Sequence, residues 1–402
     1  MPVAPLVLLQ SSDWHVGSPL KGRGLGLTEE FRATRRDEVD AAPERLLRVA
    51  RDVRPDAVLL PGDLWDAENV PPALFRRLVE AFASLAPSPV FVAPGNHDFA
   101  GSGGFYDDEF LSALGLPAWP ANVRVFRRPT WQVLPVPGRE DAAVTGRAWL
   151  SPLLEEGRPL VPPPPRAGVD FPLLMLHGSL ESYRGPDAPS GAKRTAPFSR
   201  DEILGAGFAW AALGHHHAFD VVERPDGSAA GAYSGSPTGR GLDETGPRFF
   251  LKVTLDREAT ARVEKVPADC RQVLDLGLDA AGREGDALRE AALAALLEAG
   301  ATPGDLVRLT VTGRPGAGTK PIAALGDLKG LVAHLTLRDR TVTEPEAPGG
   351  RATAEGRFAL EIEARLAAAN DDRSRRVAEL ALALGREALL GRLPGPPPVE
   401  EA

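Results

Sequence analysis

With 402 residues, a quarter of them charged, and a formal net charge of −9, the chain exceeds one average domain and has the wrong sign to bind nucleic acid by its overall field. Any phosphate-bearing substrate must meet local positive charge, and bound metal ions are one way to supply it. The single cysteine, Cys270, excludes an intrachain disulfide and points to a reducing cytoplasm.

The opening "MPVAPLVLLQ" is apolar but lacks a basic start and a small-residue cleavage site, so it reads as a buried first strand rather than a signal peptide. No run of about eighteen apolar residues occurs anywhere, so no membrane span is expected. A repeated rhythm follows. "PLVLLQSSDWH", "DAVLLPGDLWD", "PVFVAPGNHDF", "PLLMLHGSL" and "FAWAALGHHH" each read as a short buried strand running into a polar loop. Such runs, without polar alternation, suit an interior sheet covered on both faces. Amphipathic helices are predicted between them at "AAPERLLRVARDV" and "PPALFRRLVEAFASLA". The layout is α/β, with each polar cluster at the carboxyl end of a strand, where ligands bind in layered sheets. "VPPPPRAGVD" reads as a connecting loop on this first domain, 1–270.

From Arg271 the pattern becomes strand "QVLDLGL", helix "DALREAALAALLEAG", strand "DLVRLTVTG" and strand "GLVAHLTLRD". This is a small α/β unit, 271–343, with no polar cluster of its own. "EPEAPGG" then reads as a linker, and 344–402 as two helices and a Pro-rich tail. The helices break at "NDDRS", where Asn370, Asp371 and Asp372 offer capping oxygens. Phe358, Ile362 and Leu366 form one apolar stripe; Val377, Leu380 and Leu384 form another.

Six of the seven histidines lie in the strand-end clusters: His15, His97, His177, His215, His216 and His217. Only His334 lies elsewhere. Beside them stand Asp13, Asp63 and Asn96. Residues at i and i+2 of an extended segment share a side, so Asp13 can act with His15, and His215 with His217, while His216 points away. Carboxylate, amide oxygen and imidazole together suit Mn²⁺, Fe²⁺ or Zn²⁺ better than Ca²⁺, and the lack of thiolates argues against a structural zinc site. So many donors exceed the needs of one ion and fit two that share a bridging carboxylate. Lys21, Arg23 and Arg240 are the candidates for holding a phosphate backbone.

The ordered set D-x-H, G-D, G-N-H-D, an apolar run ending in His, and G-H-x-H resembles the signature of the calcineurin-like metallophosphoesterases, over roughly residues 5 to 255. "YSGSPTGRGLDETGPRFFLKV" is similar, within that family, to the bacterial DNA repair exonucleases of the SbcD and YhaO type. The resemblance implies a two-sheet α/β sandwich, a small α/β cap and a helical segment that grips a partner. It implies two divalent ions, most simply Mn²⁺ with Mg²⁺, Fe²⁺ or Zn²⁺ as alternatives. Asp13, His15, Asp63 and His217 would hold one, Asp63, Asn96, His177 and His215 the other, and His97 would be catalytic. It also implies DNA as substrate, with exonuclease action on ends and endonuclease action on single strands in double-strand break repair, and a nucleoid-associated bacterial protein. An SMC-like ATPase of the SbcC or YhaN type would be the partner. A homodimer paired through "PPALFRRLVEAFASLA" and "DDEFLSALGL" is expected on the same basis. Asp66 departs from the archaeal and eukaryotic relatives, which place a histidine there. The protein Ser/Thr phosphatase pattern G-D-x-x-D-R-G is absent from "GDLWDAEN". The rival readings are a phosphoesterase for small nucleotides or phosphodiesters and a non-catalytic scaffold.

Overall fold

A computed structural model describes residues 4–20, 26–66, 70–153, 157–186, 195–316, 318–342 and 353–389. Lys21, Arg23, the "EPEAPGG" linker and the Pro-rich tail lie outside the described residues. The chain divides into two compact units. The first is Met1–Leu274 with Thr302–Val307, and the second is Asp275–Ala301 with Arg308–Ala402.

In the first unit the elements are β1 (Leu6–Gln10), α1 (Glu29–Asp40), α2 (Ala42–Val53), β2 (Ala57–Leu60), α3 (Pro72–Ala83), β3 (Val90–Val92), α4 (Asp108–Ala113), β4 (Val123–Val125), β5 (Gln132–Val136), β6 (Arg139–Gly146), β7 (Phe171–His177), α5 (Arg200–Ala206), β8 (Trp210–Gly214), β9 (Asp220–Glu223), β10 (Ala229–Tyr233), β11 (Phe249–Leu255) and β12 (Ala261–Pro267). All five apolar runs read from the sequence are strands, and both predicted helices form as α2 and α3. The "VPPPPRAGVD" stretch carries no helix or strand.

The strands lie in the order β4-β3-β2-β1-β11-β12-β10-β8-β7-β6-β5, with β9 beside β10. Two parallel blocks, β1 to β4 and β6-β7-β8-β10, are joined through the antiparallel ribbon β11–β12. The sheet curls so that the blocks face each other: Leu6, Leu8, Leu59 and Phe91 share a core with Leu173, Met175 and Ala212. Side-chain alternation along each strand sends Leu9, Leu60 and Val92 outward, against Leu46 of α2 and Phe75, Leu78 and Phe82 of α3. On the other outer face Leu174, Leu176 and Leu213 pack on Ile203 of α5. The result is a two-layer α/β sandwich clad by helices, as expected. Ser199 and Glu202 close a reciprocal cap on α5.

The apolar face of α3 is buried in this core; Leu111 of α4 is buried, while Leu114, just past its end, is half exposed.

β13 (Val273–Asp279), β14 (Leu306–Thr312) and β15 (His334–Asp339) form a second sheet in that order, and all but the first two residues of β13 and of β14 belong to the second unit, with α6 (Gly285–Glu298) and α7 (Pro321–Ala324). Helices α8 (Ala354–Ala368) and α9 (Asp372–Leu389) pack on each other through Phe358, Ile362, Leu366, Ala378, Ala381 and Leu382. Of the residues at the helix break, Asp371 accepts the Ser374 N–H at 2.7 Å. The first predicted stripe is used as read. The second is not: Val377 is 61% and Leu380 47% exposed, because the small Ala378 and Ala381 face allows closer helix packing. Among the described residues no helix is long and apolar enough to cross a membrane.

Candidate metal centre

The carboxyl ends of β1, β2, β3, β7 and β8 meet because glycines let the two blocks touch. A side chain at Gly214 would collide with the Pro61 carbonyl, and one at Gly95 with Asp63 Oδ1. The loop after β1 is zipped to the loop after β2, with Asp13 N–H donating to Gly62 O and His15 N–H to Asp63 O, each at 3.0 Å. Asp13, His15 and Asp63 sit at φ 55°, 48° and 54°, and His215 at 107°. These left-handed conformations cost non-glycine residues energy and persist only where their surroundings enforce them.

Three donor groups result, each with its ligand atoms within 4.8 Å of one another: Asp13/His15/His217, Asp63/His177/His215 and His15/Asp66/His97. Asp63 lies between the first two, its Oδ2 being 3.4 Å from His177 Nε2 and 3.8 Å from His15 Nε2. Asn96 Oδ1 is 3.1 Å from His177 Nε2. His177 Nδ1 donates to the Pro61 carbonyl at 2.9 Å and His15 Nδ1 to Asp66 at 2.7 Å. Each ring therefore turns its Nε2 inward, held by the kind of outer hydrogen bond that fixes ligating imidazoles. His15 Nε2 is buried with no hydrogen-bond partner. An orphaned acceptor beside two buried carboxylates is what a hard or borderline cation would complete, so the donor set fits a divalent metal pair.

Without a cation the buried groups share protons among themselves. Burial drives the Asp13 carboxyl up to about 7 against the pull of His177 and His217. Burial alone would raise Asp63 as well, but His177, followed by His97 and His15, holds it well below the ordinary carboxylate range. Burial pushes His15 down to about 3, and the nearby Arg240 charge adds to that. Asp63 thus stays ionised beside a neutral His15, whereas His177, despite its burial, is raised to about 9 by Asp63 and Asp13, so a cation bound there would take the place of its Nε2 proton.

The structure brings together all eight residues singled out for metal and catalysis. His97 is half exposed, its side chain at 48%, and its Nδ1 lies 3.1 Å from Asp66 Oδ1. Burial works to lower its pKa, but Asp66, then Asp63, raises it. Asp66 therefore serves two histidines at once, His15 and His97, where the sequence alone shows only a departure from relatives. His216 turns out of the cluster and stacks on Tyr183, ring centroids 3.7 Å apart.

The phosphate contact expected of Arg240 does not match its surroundings. Arg240 is 1% exposed and its guanidinium forks onto the buried Glu244 carboxylate, so desolvation and pairing hold it inside.

Sequence reasoning also misses Asp98. Its carboxylate accepts the N–H groups of Asp63 (3.0 Å), Leu64 (3.1 Å) and Gly95 (2.6 Å) and the Tyr106 hydroxyl (2.9 Å). It sits beside His97 in "GNHD", and that adjacency is its only signal in the sequence. Asp98→Ala strands four buried donors at about 1–3 kcal/mol each, so a loss above about 3 kcal/mol is expected in urea unfolding. An unchanged unfolding midpoint would mean that water replaces the carboxylate.

Over 257 residues the chain is 28% identical to the uncharacterized metallophosphoesterase YhaO of Bacillus subtilis (strain 168), covering 62% of this chain and 57% of that protein. It is 32% identical over 95 residues to the SbcD subunit of the nuclease SbcCD from the same organism, covering 23% and 22%. It is 28% identical over 294 residues to the DNA double-strand break repair protein Mre11 of Aeropyrum pernix, covering 68% and 63%. The chain thus spans less than two thirds of the length of each of these relatives. The calcineurin-like phosphoesterase family matches residues 6–219, more than half of the chain and a span holding every residue of the three donor groups. With its curled sheet and paired donor clusters, the chain belongs to the calcineurin-like phosphoesterase family.

Proposed function

We propose that the protein is a two-metal DNA nuclease that hydrolyses phosphodiester bonds at DNA ends and in single strands during double-strand break repair. The observation that carries the reading is the convergence of Asp13/His15/His217 and Asp63/His177/His215 as separate clusters on either side of one carboxylate. In this proposal Asp13, His15, Asp63 and His217 hold one Mn²⁺, and Asp63, Asn96, His177 and His215 the other. Bound there, the pair supplies Lewis-acid charge that acidifies a water and neutralises phosphate oxygens. His97 supplies the proton: its Nδ1 is committed to Asp66, leaving Nε2 to protonate the departing sugar oxygen. DNA as substrate is supported by the similarity to part of a nuclease and to a double-strand break repair protein.

The test is cleavage of end-labelled duplex and circular single-stranded DNA with Mn²⁺, Mg²⁺ or chelator, alongside small phosphodiesters. Chelator-sensitive release of end label and opening of the circle are expected. Hydrolysis of the small esters with intact DNA would transfer the protein to the small-substrate reading.

Partnership with an SMC-like ATPase belongs to the same proposal, with α8 and α9 as the docking element. Val377 and Leu380, left outside the α8–α9 contact, are available apolar anchors. Deletion of residues 344–402 is expected to leave Mn²⁺-dependent nuclease activity and to abolish co-purification with that ATPase. Unchanged binding by the truncated protein would return the helices to a purely structural role.

A further inference from the structure

The stretch 234–248, "SGSPTGRGLDETGPR", has no role in the catalysis described so far, yet its polar and charged residues include several that are nearly or fully buried. Ser236, Arg240, Glu244 and Arg248 are 0%, 1%, 0% and 6% exposed. Such a density of buried charge is destabilising unless each group has a partner. Ser236 through its backbone, and Glu244 and Arg248 through their side chains, all meet His217. The Ser236 N–H donates to the His217 carbonyl at 3.0 Å, and Arg248 Nη1 donates to the same oxygen at 2.6 Å. Glu244 Oε1 lies 3.0 Å from His217 Nδ1.

Arg240 completes the arrangement. Its backbone N–H and its Nε both donate to Glu244, at 2.7 and 3.0 Å, and its Nη2 lies 3.2 Å from His217 Nδ1. The backbone beneath Arg240 is clamped in turn. Gly239 donates to Asp269 Oδ2 at 2.8 Å, and its carbonyl accepts from Arg35 at 2.6 Å. Arg35 is itself paired with Asp269.

We infer that Glu244, locked by Arg240, is the positioning residue for the metal site of His217: it accepts the Nδ1 proton, fixes the tautomer and leaves Nε2 to bind the cation held with Asp13 and His15. This rests on the metal-site reading above. A carboxylate behind a ligating imidazole raises the basicity of the ring and restricts its rotation, and losing such a partner typically lowers metal affinity about 10- to 100-fold. The effect should fall on one ion only, because Glu244 touches no side chain of the other group, in which His177 is held by the Pro61 carbonyl, Asn96 and Asp63.

Glu244→Ala would leave the Arg240 charge buried and alone, so the main variant removes both charges: Arg240→Met with Glu244→Leu. Glu244→Gln, whose amide oxygen still accepts from Nδ1, is the conservative companion. Full-length proteins are titrated with Mn²⁺ and free ion is followed by electron paramagnetic resonance, with melting temperature checked in parallel and His217→Ala as reference. The double variant is expected to fold, to keep one ion at wild-type affinity and to bind the other about 10- to 100-fold more weakly. Its turnover should recover at high Mn²⁺, with Glu244→Gln lying between it and wild type.

If His217→Ala loses an ion while both Glu244 variants bind two ions as tightly as wild type, the inference is wrong and the metal-site reading stands. If His217→Ala keeps both ions, the metal-site reading fails and the inference with it. Equal weakening of both ions would assign Glu244 to general stability and overturn the inference.

Discussion

Asp63→Ala is expected to lose both cations and nearly all phosphoester hydrolysis. Its carboxylate faces both donor groups: Oδ2 approaches His15 and His177, while Oδ1 accepts the His97 N–H at 2.9 Å. Under the proposed two-metal reading, removing it takes away the shared ligand and leaves the two sets of imidazoles without that counter-charge. Several kcal/mol of transition-state stabilisation should go with the ions, so turnover should fall about a thousandfold or more. Elemental analysis of the folded variant checks the cause. Retention of two ions per chain would show that the clusters do not depend on a shared carboxylate.

His97→Ala should separate chemistry from binding. The ring is half exposed and reaches the cluster through Asp66 and its own backbone, so both ions should remain. General acid catalysis contributes about a hundredfold to ten-thousandfold, and the loss should fall in that range. A substrate whose leaving group needs no proton, such as a nitrophenyl ester, should be cleaved by the variant with a much smaller defect. Equal defects on both substrate types would place His97 in binding rather than proton transfer.

The parts of the fold legible in the sequence are those with local apolar signals. The five strands are readable because buried runs such as "PLVLLQ" and "FAWAALG" admit few alternatives, and the donors are readable because each run ends in a polar cluster. Alternation along an extended segment also pairs Asp13 with His15, but the structure reaches that pairing by another route. β1 ends at Gln10 and β8 at Gly214, and Asp13, His15 and His215 are in left-handed rather than extended backbone. The supporting residues are illegible for a different reason. Arg35 reads as one more charge on the polar helix "EEFRATRRDEVD", and only folding reveals that it holds Gly239, 204 residues away. Glu244, Asp66 and Asp98 are hard to read for a related reason, since each also meets groups far along the chain: His217 for Glu244, His15 for Asp66, and the N–H groups of Asp63 and Leu64 for Asp98. Arg240 misleads because a lone arginine in a Gly-rich loop has the same local appearance whether it is solvated or buried.

The left-handed backbone at Asp13, His15, Asp63 and His215 bears on whether the protein is a retired enzyme. At about 1–3 kcal/mol each, these conformations weigh on a fold whose whole stability is about 5–15 kcal/mol. Glycine at any one of the four positions would relax the chain, and it is reachable from aspartate by a single nucleotide change. In a lineage kept only for its surfaces, thermodynamic drift would favour just those replacements, and the earliest positions to erode would be the strained ones. All four still carry acid or imidazole side chains, so the chain retains a standing strain that serves a working site and would be idle in a scaffold.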